Sequence, residues 1–204
     1  MTRIVNNCVA LVCLCLFWGQ SLRAADASHS EQIKWGNESV FNEEHNTLGL
    51  FSGVLGGQIV LAGGTSDDYS RWGRNAVCHS ENAGFALYED VLSKPLAYGA
   101  SITLSDGILC IGGRDSSQCY EDVFFVTMQQ GKLNVSEDWP PLPFPLSNAA
   151  GALLDNKVYL FGGRKSVSPS RLSDSFFVLD LSNKSRGWKE LPGYPGCVRE
   201  DAIL

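Results

Sequence analysis

Basic residues are in short supply. The chain has 16 lysines and arginines against 22 aspartates and glutamates, a formal net charge of −6. An acidic chain without a basic cluster is a poor binder of nucleic acid or of an anionic bilayer, because both depend on neutralising phosphates. Histidine is scarcer still. His29, His45 and His79 are scattered, and no two share a helix or strand face at metal-ligand spacing, so no metal site is expected. Also missing are a G-x-S-x-G elbow, a phosphate-binding Walker loop, an H-E-x-x-H pair and a dinucleotide fingerprint. These gaps leave no support for a hydrolase, a nucleotide enzyme or a redox enzyme.

Long apolar runs are absent too, with one informative near-miss. Cys8–Trp18 (CVALVCLCLFW) is unbroken, but at ~1.5 Å per residue it reaches only about halfway across a bilayer core. Arg3 precedes it, and the small residues Ala24-Ala25-Asp26-Ala27 follow. That order predicts a secretory signal peptide over residues 1–27 and a periplasmic or secreted product. Val12 and Leu14 before Cys13 and Cys15 argue against a lipid-attachment site. Three of the seven cysteines lie in this leader. The other four, Cys78, Cys110, Cys119 and Cys197, would meet an oxidising compartment, and a Cys110–Cys119 pairing is one disulfide they allow. The sequons at Asn37, Asn134 and Asn183 matter only in a eukaryotic host.

Glycine is plentiful, and it is periodic. QIVLAGG, ILCIGG and VYLFGG end in double glycines at Gly63-Gly64, Gly112-Gly113 and Gly162-Gly163. The intervals of 49 and 50 residues match the ~50-residue kelch period. Each is preceded by another strand, with turn-forming Gly56-Gly57, Asp106-Gly107 or Asp155-Asn156 between the two. A third strand follows at Asp122–Val126 and Asp174–Val178, and Trp139…Leu142-Pro143 and Trp188…Leu191-Pro192 close the second and third repeats. The pattern predicts an all-β, kelch-type β-propeller with blades at about 48–93, 94–143 and 144–193. Buried inner strands explain the continuous apolar runs, and a tryptophan at the rim would cover the gap between blades.

Three blades do not close a ring, since propellers use 4 to 8. Residues 28–47, with Trp35, are expected to supply a strand closing the last blade of such a ring. For the shortfall two explanations are open: truncation, which the uncapped tail Val198–Leu204 favours, or self-association in which a second copy completes the propeller.

The segments KPLAYGASITLSDGILCIGGRDS (Lys94–Ser116) and PFPLSNAAGALLDNKVYLFGGR (Pro143–Arg164), with the asymmetric first repeat around Arg71-Trp72-Gly73, resemble the cyclically permuted mutarotase family, which includes the N-acetylneuraminate epimerases. The likeness covers about Phe51–Pro195 and about the first half of a six-bladed member. It implies exchange of sugar anomers, a small sialic-acid-type substrate and no metal or organic cofactor. Such chemistry needs a base for the anomeric hydroxyl and an acid for the ring oxygen. The resemblance carries no catalytic residue onto this chain.

Substrate-binding candidates come from position instead. Arg114 and Asp115 follow one double glycine and Arg164 follows the next. Tyr98 and Asn148 sit just before the innermost strands, and the long loop Ser66–Gly84 offers Asp67, Asp68, Trp72 and Arg74. Each also has a purely structural reading: Arg114 and Arg164 as partners of Asp122 or Asp174, Asp115 as a turn cap, Asn148 as a backbone bond, Tyr98 as core. A second functional class stays open, a non-catalytic kelch module binding glycans or protein partners through its loops.

Overall fold

The computed structural model describes residues 48–80, 84–193, 196 and 198–202. The expected leader at 1–27, the segment 28–47 with Trp35, and Cys197 lie outside them. Fourteen strands are formed among the described residues. The first antiparallel sheet runs β1 (Phe51–Leu55), β2 (Gln58–Ala62), β3 (Ala76–Ser80), β4 (Gly84–Tyr88) in that order. The second repeats it with β5 (Ala100–Thr103), β6 (Ile108–Ile111), β7 (Val123–Gln129) and β8 (Lys132–Ser136). In the third, a small hairpin of β11 (Arg164–Ser166) and β12 (Arg171–Leu172) lies between β10 (Lys157–Phe161) and β13 (Phe176–Asp180). Its sheet order is β9 (Ala150–Leu154), β10, β13, β14 (Lys189–Leu191). Three up-and-down, four-stranded blades make this a partial propeller.

Alternation along β6 shows how the blades stack. Ile108 and Cys110 point into the core shared with the first sheet, beside Phe51, Val60 and Phe124. Leu109 and Ile111 point the other way, into the core shared with the third, beside Phe125, Val158, Leu160 and Phe177. All four residues are buried, so a two-residue period reads as an unbroken apolar run. Cys110 is spent on this packing. Contrary to the disulfide the sequence allows, Cys78, Cys110 and Cys119 are all free and buried, and the Cys119 Sγ lies 3.4 Å from the Ser147 hydroxyl. Burial pushes the Cys110 thiol well above its ordinary range.

Rim contacts tie neighbouring blades together. The Trp188 indole donates to the Pro140 carbonyl at 3.0 Å, and in the first blade, which has no matching tryptophan, the Tyr88 hydroxyl donates to the Gly131 carbonyl at 3.1 Å. On the open face of the first sheet, Val54, Ile59, Phe85 and Leu87 are exposed.

The double glycines bring each blade hard against the next. Gly112 has φ 63°, and a Cβ there would sit 2.2 Å from the Leu146 carbonyl oxygen of the following blade. Glycine alone meets both demands at once. Gly113 then donates to that same carbonyl at 2.8 Å, as Gly64 does to Leu96 and Gly163 to Arg199 at 2.9 Å each.

Candidate functional site

Directly after each double glycine the chain makes a two-way backbone bridge to the residue that precedes the innermost turn: Thr65 with Leu48, Arg114 with Ala97, Arg164 with Ser147. The next residues, Gly49, Tyr98 and Asn148, all adopt left-handed backbone, with φ of 65°, 59° and 55°. They form a ladder across the blades: Tyr98 donates to the Gly49 carbonyl and Asn148 to the Tyr98 carbonyl, both at 2.7 Å. Asp201, with φ 52°, adds a further rung by donating to the Asn148 carbonyl at 3.0 Å. The fold therefore delivers Tyr98, Asn148, Arg114 and Arg164 to one end of the blades, around the propeller axis.

Their company differs. Arg114 is surrounded by aromatic rings: its guanidinium carbon is 4.6 Å from the centroid of Tyr98, 5.1 Å from Trp72 and 6.0 Å from Tyr69. Trp72 meets Tyr98 edge-on with centroids 6.4 Å apart, and its indole donates to the Tyr69 carbonyl at 3.1 Å. Arg114 makes one long bond, from Nη1 to the Asp115 carbonyl at 3.4 Å. Its Nε is shut off from solvent without a hydrogen-bond partner, and no carboxylate pairs with it among the described residues. Burial, followed by the hydrogen bond with Tyr69, pushes the Tyr98 hydroxyl up to about 12 despite the opposing pull of Arg114. Tyr98 accordingly stays protonated at neutral pH.

The other candidates are engaged. Arg164 holds Glu200 in a bidentate ion pair, with Nε and Nη2 2.9 and 2.7 Å from the carboxylate oxygens. The Asn148 amide donates to Asp201 at 2.9 Å. Arg74 pairs with Asp90. Asp115 accepts from the Ser117 and Gln118 amides at 2.7 and 2.9 Å, the Ser117 hydroxyl at 2.8 Å and the Tyr120 hydroxyl at 2.6 Å. Burial works against its ionisation, yet these four donors outweigh it and hold the carboxyl at about 2. Neither Arg114 nor Arg164 takes the same-blade partner its structural reading offers: Asp122 is occupied by Lys94, 3.0 Å away. Asp68 is bound within its own loop by Ser66 and Ser70.

Two features escape a reading of the sequence. Tyr69 joins the aromatic group from a left-handed position (φ 60°), and the only signal for it is an aromatic three residues before Trp72. Glu200 and Asp201, in a tail that looks uncapped, continue the inner ladder.

The kelch motif model matches residues 145–192, which hold the third sheet. The chain carries a kelch motif. The resemblance to the mutarotase-like kelch family is borne out by its similarities. The kelch chain is 31% identical to an N-acetylneuraminate epimerase of Vibrio cholerae over 83 residues, 41% of this chain and 20% of that protein. With an N-acetylneuraminate epimerase of Brucella suis it shares 31% over 74 residues, 36% of this chain and 17% of the relative. A solved structure titled "Structure of YjhT" superposes with a TM-score of 0.62 at 11% identity, covering 76% of the kelch chain and 58% of the other. The matches thus span about a fifth of the curated relatives' length and 58% of the solved structure.

Proposed function

We propose that this kelch chain binds an acidic sugar of the sialic acid class at the axial end of its blades, in the service of mutarotase-like anomer exchange. Arg114 carries the proposal. It is a guanidinium held among three rings, without a carboxylate partner among the described residues, beside a tyrosine that keeps its proton. A planar guanidinium matches a carboxylate in two parallel hydrogen bonds, and the apolar faces of the rings suit the C–H faces of a pyranose. Similarity to proteins named N-acetylneuraminate epimerase supports the same substrate class. Export to the periplasm or beyond, expected from residues 1–27, belongs to the proposal and is checked by cell fractionation.

Anomer exchange removes the proton of the anomeric hydroxyl, delivers one to the ring oxygen, and recloses the open form on the other face. Asp115, fixed by four donors and ionised down to about pH 2, is a weak base for the first step. The described site therefore contributes recognition. That observation favours keeping a second reading, a non-catalytic propeller that binds acidic glycans. Titration of N-acetylneuraminate with the full chain, followed by ligand NMR, tests the binding. Saturable binding that Arg114→Ala weakens at least about tenfold is expected, and no binding by folded protein overturns the proposal. Exchange spectroscopy between the two anomers in the same tube then separates the readings: acceleration supports the mutarotase, and binding without acceleration selects the glycan-binding module.

A further inference from the structure

The ladder position before each inner strand is left-handed in all three blades, yet its side chain changes from blade to blade: none at Gly49, then Tyr98 and Asn148, with Asp201 a further left-handed rung after the third blade. The missing side chain at Gly49 has a use. A Cβ built there would lie 2.8, 2.8 and 2.9 Å from Cγ, Cδ1 and Cδ2 of Tyr98, so the root of the Tyr98 ring lies against the bare Cα of the preceding blade. The two backbones cannot separate to make room, because Tyr98 donates to the Gly49 carbonyl at 2.7 Å. Contact at the root of a ring is not relieved by bending a flexible tip. The ring itself would have to turn.

That same ring forms one wall around Arg114, at 4.6 Å, and meets Trp72 edge-on. We infer that Gly49 is a positioning residue for the Arg114 site: the absence of a side chain in the first blade lets Tyr98 of the second lie down and hold the guanidinium in place. The role of Gly49 is then steric rather than conformational. Asn148 occupies the equivalent position with φ 55°, so an asparagine satisfies the backbone there. Gly49→Asn adds the Cβ at little backbone cost, which separates crowding of Tyr98 from strain in the turn.

The consequence for ligand rests on the proposed acidic-sugar reading, whereas the geometric claim does not, so the test has two arms. Arg114 side-chain protons lie against three rings, and their NMR signals are expected upfield of the usual arginine range in the full wild-type chain. Gly49→Asn should move them back toward that range while the backbone spectrum stays folded. It should also weaken N-acetylneuraminate binding by about three- to thirtyfold, the range for losing one well-placed cation–ring contact. Tyr98→Asn should do both as well, and adding Gly49→Asn to Tyr98→Asn should change neither reading further. Unmoved Arg114 signals in folded Gly49→Asn overturn the inference. So does an undiminished effect of Gly49→Asn in the Tyr98→Asn background, because the residue would then act on the turn alone. If the wild-type chain does not bind the sugar, the functional reading fails and the ring-shift arm alone decides the role of Gly49.

Discussion

Arg114 and Arg164 stand at the same place in consecutive blades, one residue past a double glycine and bridged by backbone to the residue before an inner turn. One is surrounded by rings and has no carboxylate partner among the described residues. The other is locked in a bidentate pair with Glu200. The repeat thus sets where a side chain emerges, and the neighbouring blade sets what it does. Arg114 meets an aromatic loop from the first blade, whereas Arg164 meets the acidic segment after the third. A repeated fold can carry an ion-paired arginine and a ring-enclosed one, proposed above to recognise the sugar, in equivalent positions without altering the backbone between them.

The largest effect should come from breaking what the two positions share. Gly112→Ala combines left-handed strain with a contact of 2.2 Å to the Leu146 carbonyl, and the next blade's backbone has nowhere to retreat. A loss on the order of 3–5 kcal/mol is expected in urea or thermal unfolding, enough to threaten folding altogether. A loss below about 1 kcal/mol would mean that the blades are not held at this joint.

Next come the arginines themselves, whose responses should separate cleanly. Arg164→Ala strands Glu200 half-buried and should cost about 1–3 kcal/mol of stability, the usual range for charge-assisted hydrogen bonds, while leaving the Arg114 rings in place. Arg114→Ala breaks no ion pair among the described residues and trades its ring contacts against relief of a buried, unpartnered Nε. It should therefore lower the unfolding midpoint less than Arg164→Ala, while abolishing most of the acidic-sugar binding. Equal stability losses in both variants would collapse the distinction.

How much of this could be read beforehand follows from the range of the interactions. Strand pairs, double glycines and the apolar run of β6 are local, so the sequence displays them, and the propeller follows. The position of Tyr98 and Arg114 at the axial end was legible for the same reason, as an offset within the repeat. Their company was not. Tyr69 reaches Arg114 from 45 positions earlier in the chain, and Glu200 reaches Arg164 from 36 positions later. Neither offset recurs in the other blades, so no repeat pattern announces it. The Cys110–Cys119 disulfide that the sequence allows fails for a related reason: Cys110 alternates with Leu109 and Ile111 on a strand buried on both faces, where packing decides its chemistry.

The smallest effect sharpens the comparison one residue further on, where the second blade has Asp115 and the third has Lys165 at the equivalent position. Lys165 lies over the Phe144 ring at 4.1 Å, while Asp115 gathers the tight turn Ser117–Tyr120 around its carboxylate. Its folded pKa of about 2 lies below the ordinary aspartate value near 3.8. The folded state therefore favours the ionised form, and the stabilisation is fully present above about pH 4. It should fade as pH falls from there through about 2. Carboxyl-carbon NMR should place the Asp115 midpoint near 2, and Tyr120→Phe, which removes the 2.6 Å donor, should raise it. The third blade has no acid at this position, so its β11–β12 hairpin should keep its amide spectrum through the pH window in which the Asp115 turn loosens. A turn that holds unchanged down to pH 2 would show that its backbone, rather than the carboxylate, sets the shape of the loop carrying Arg114.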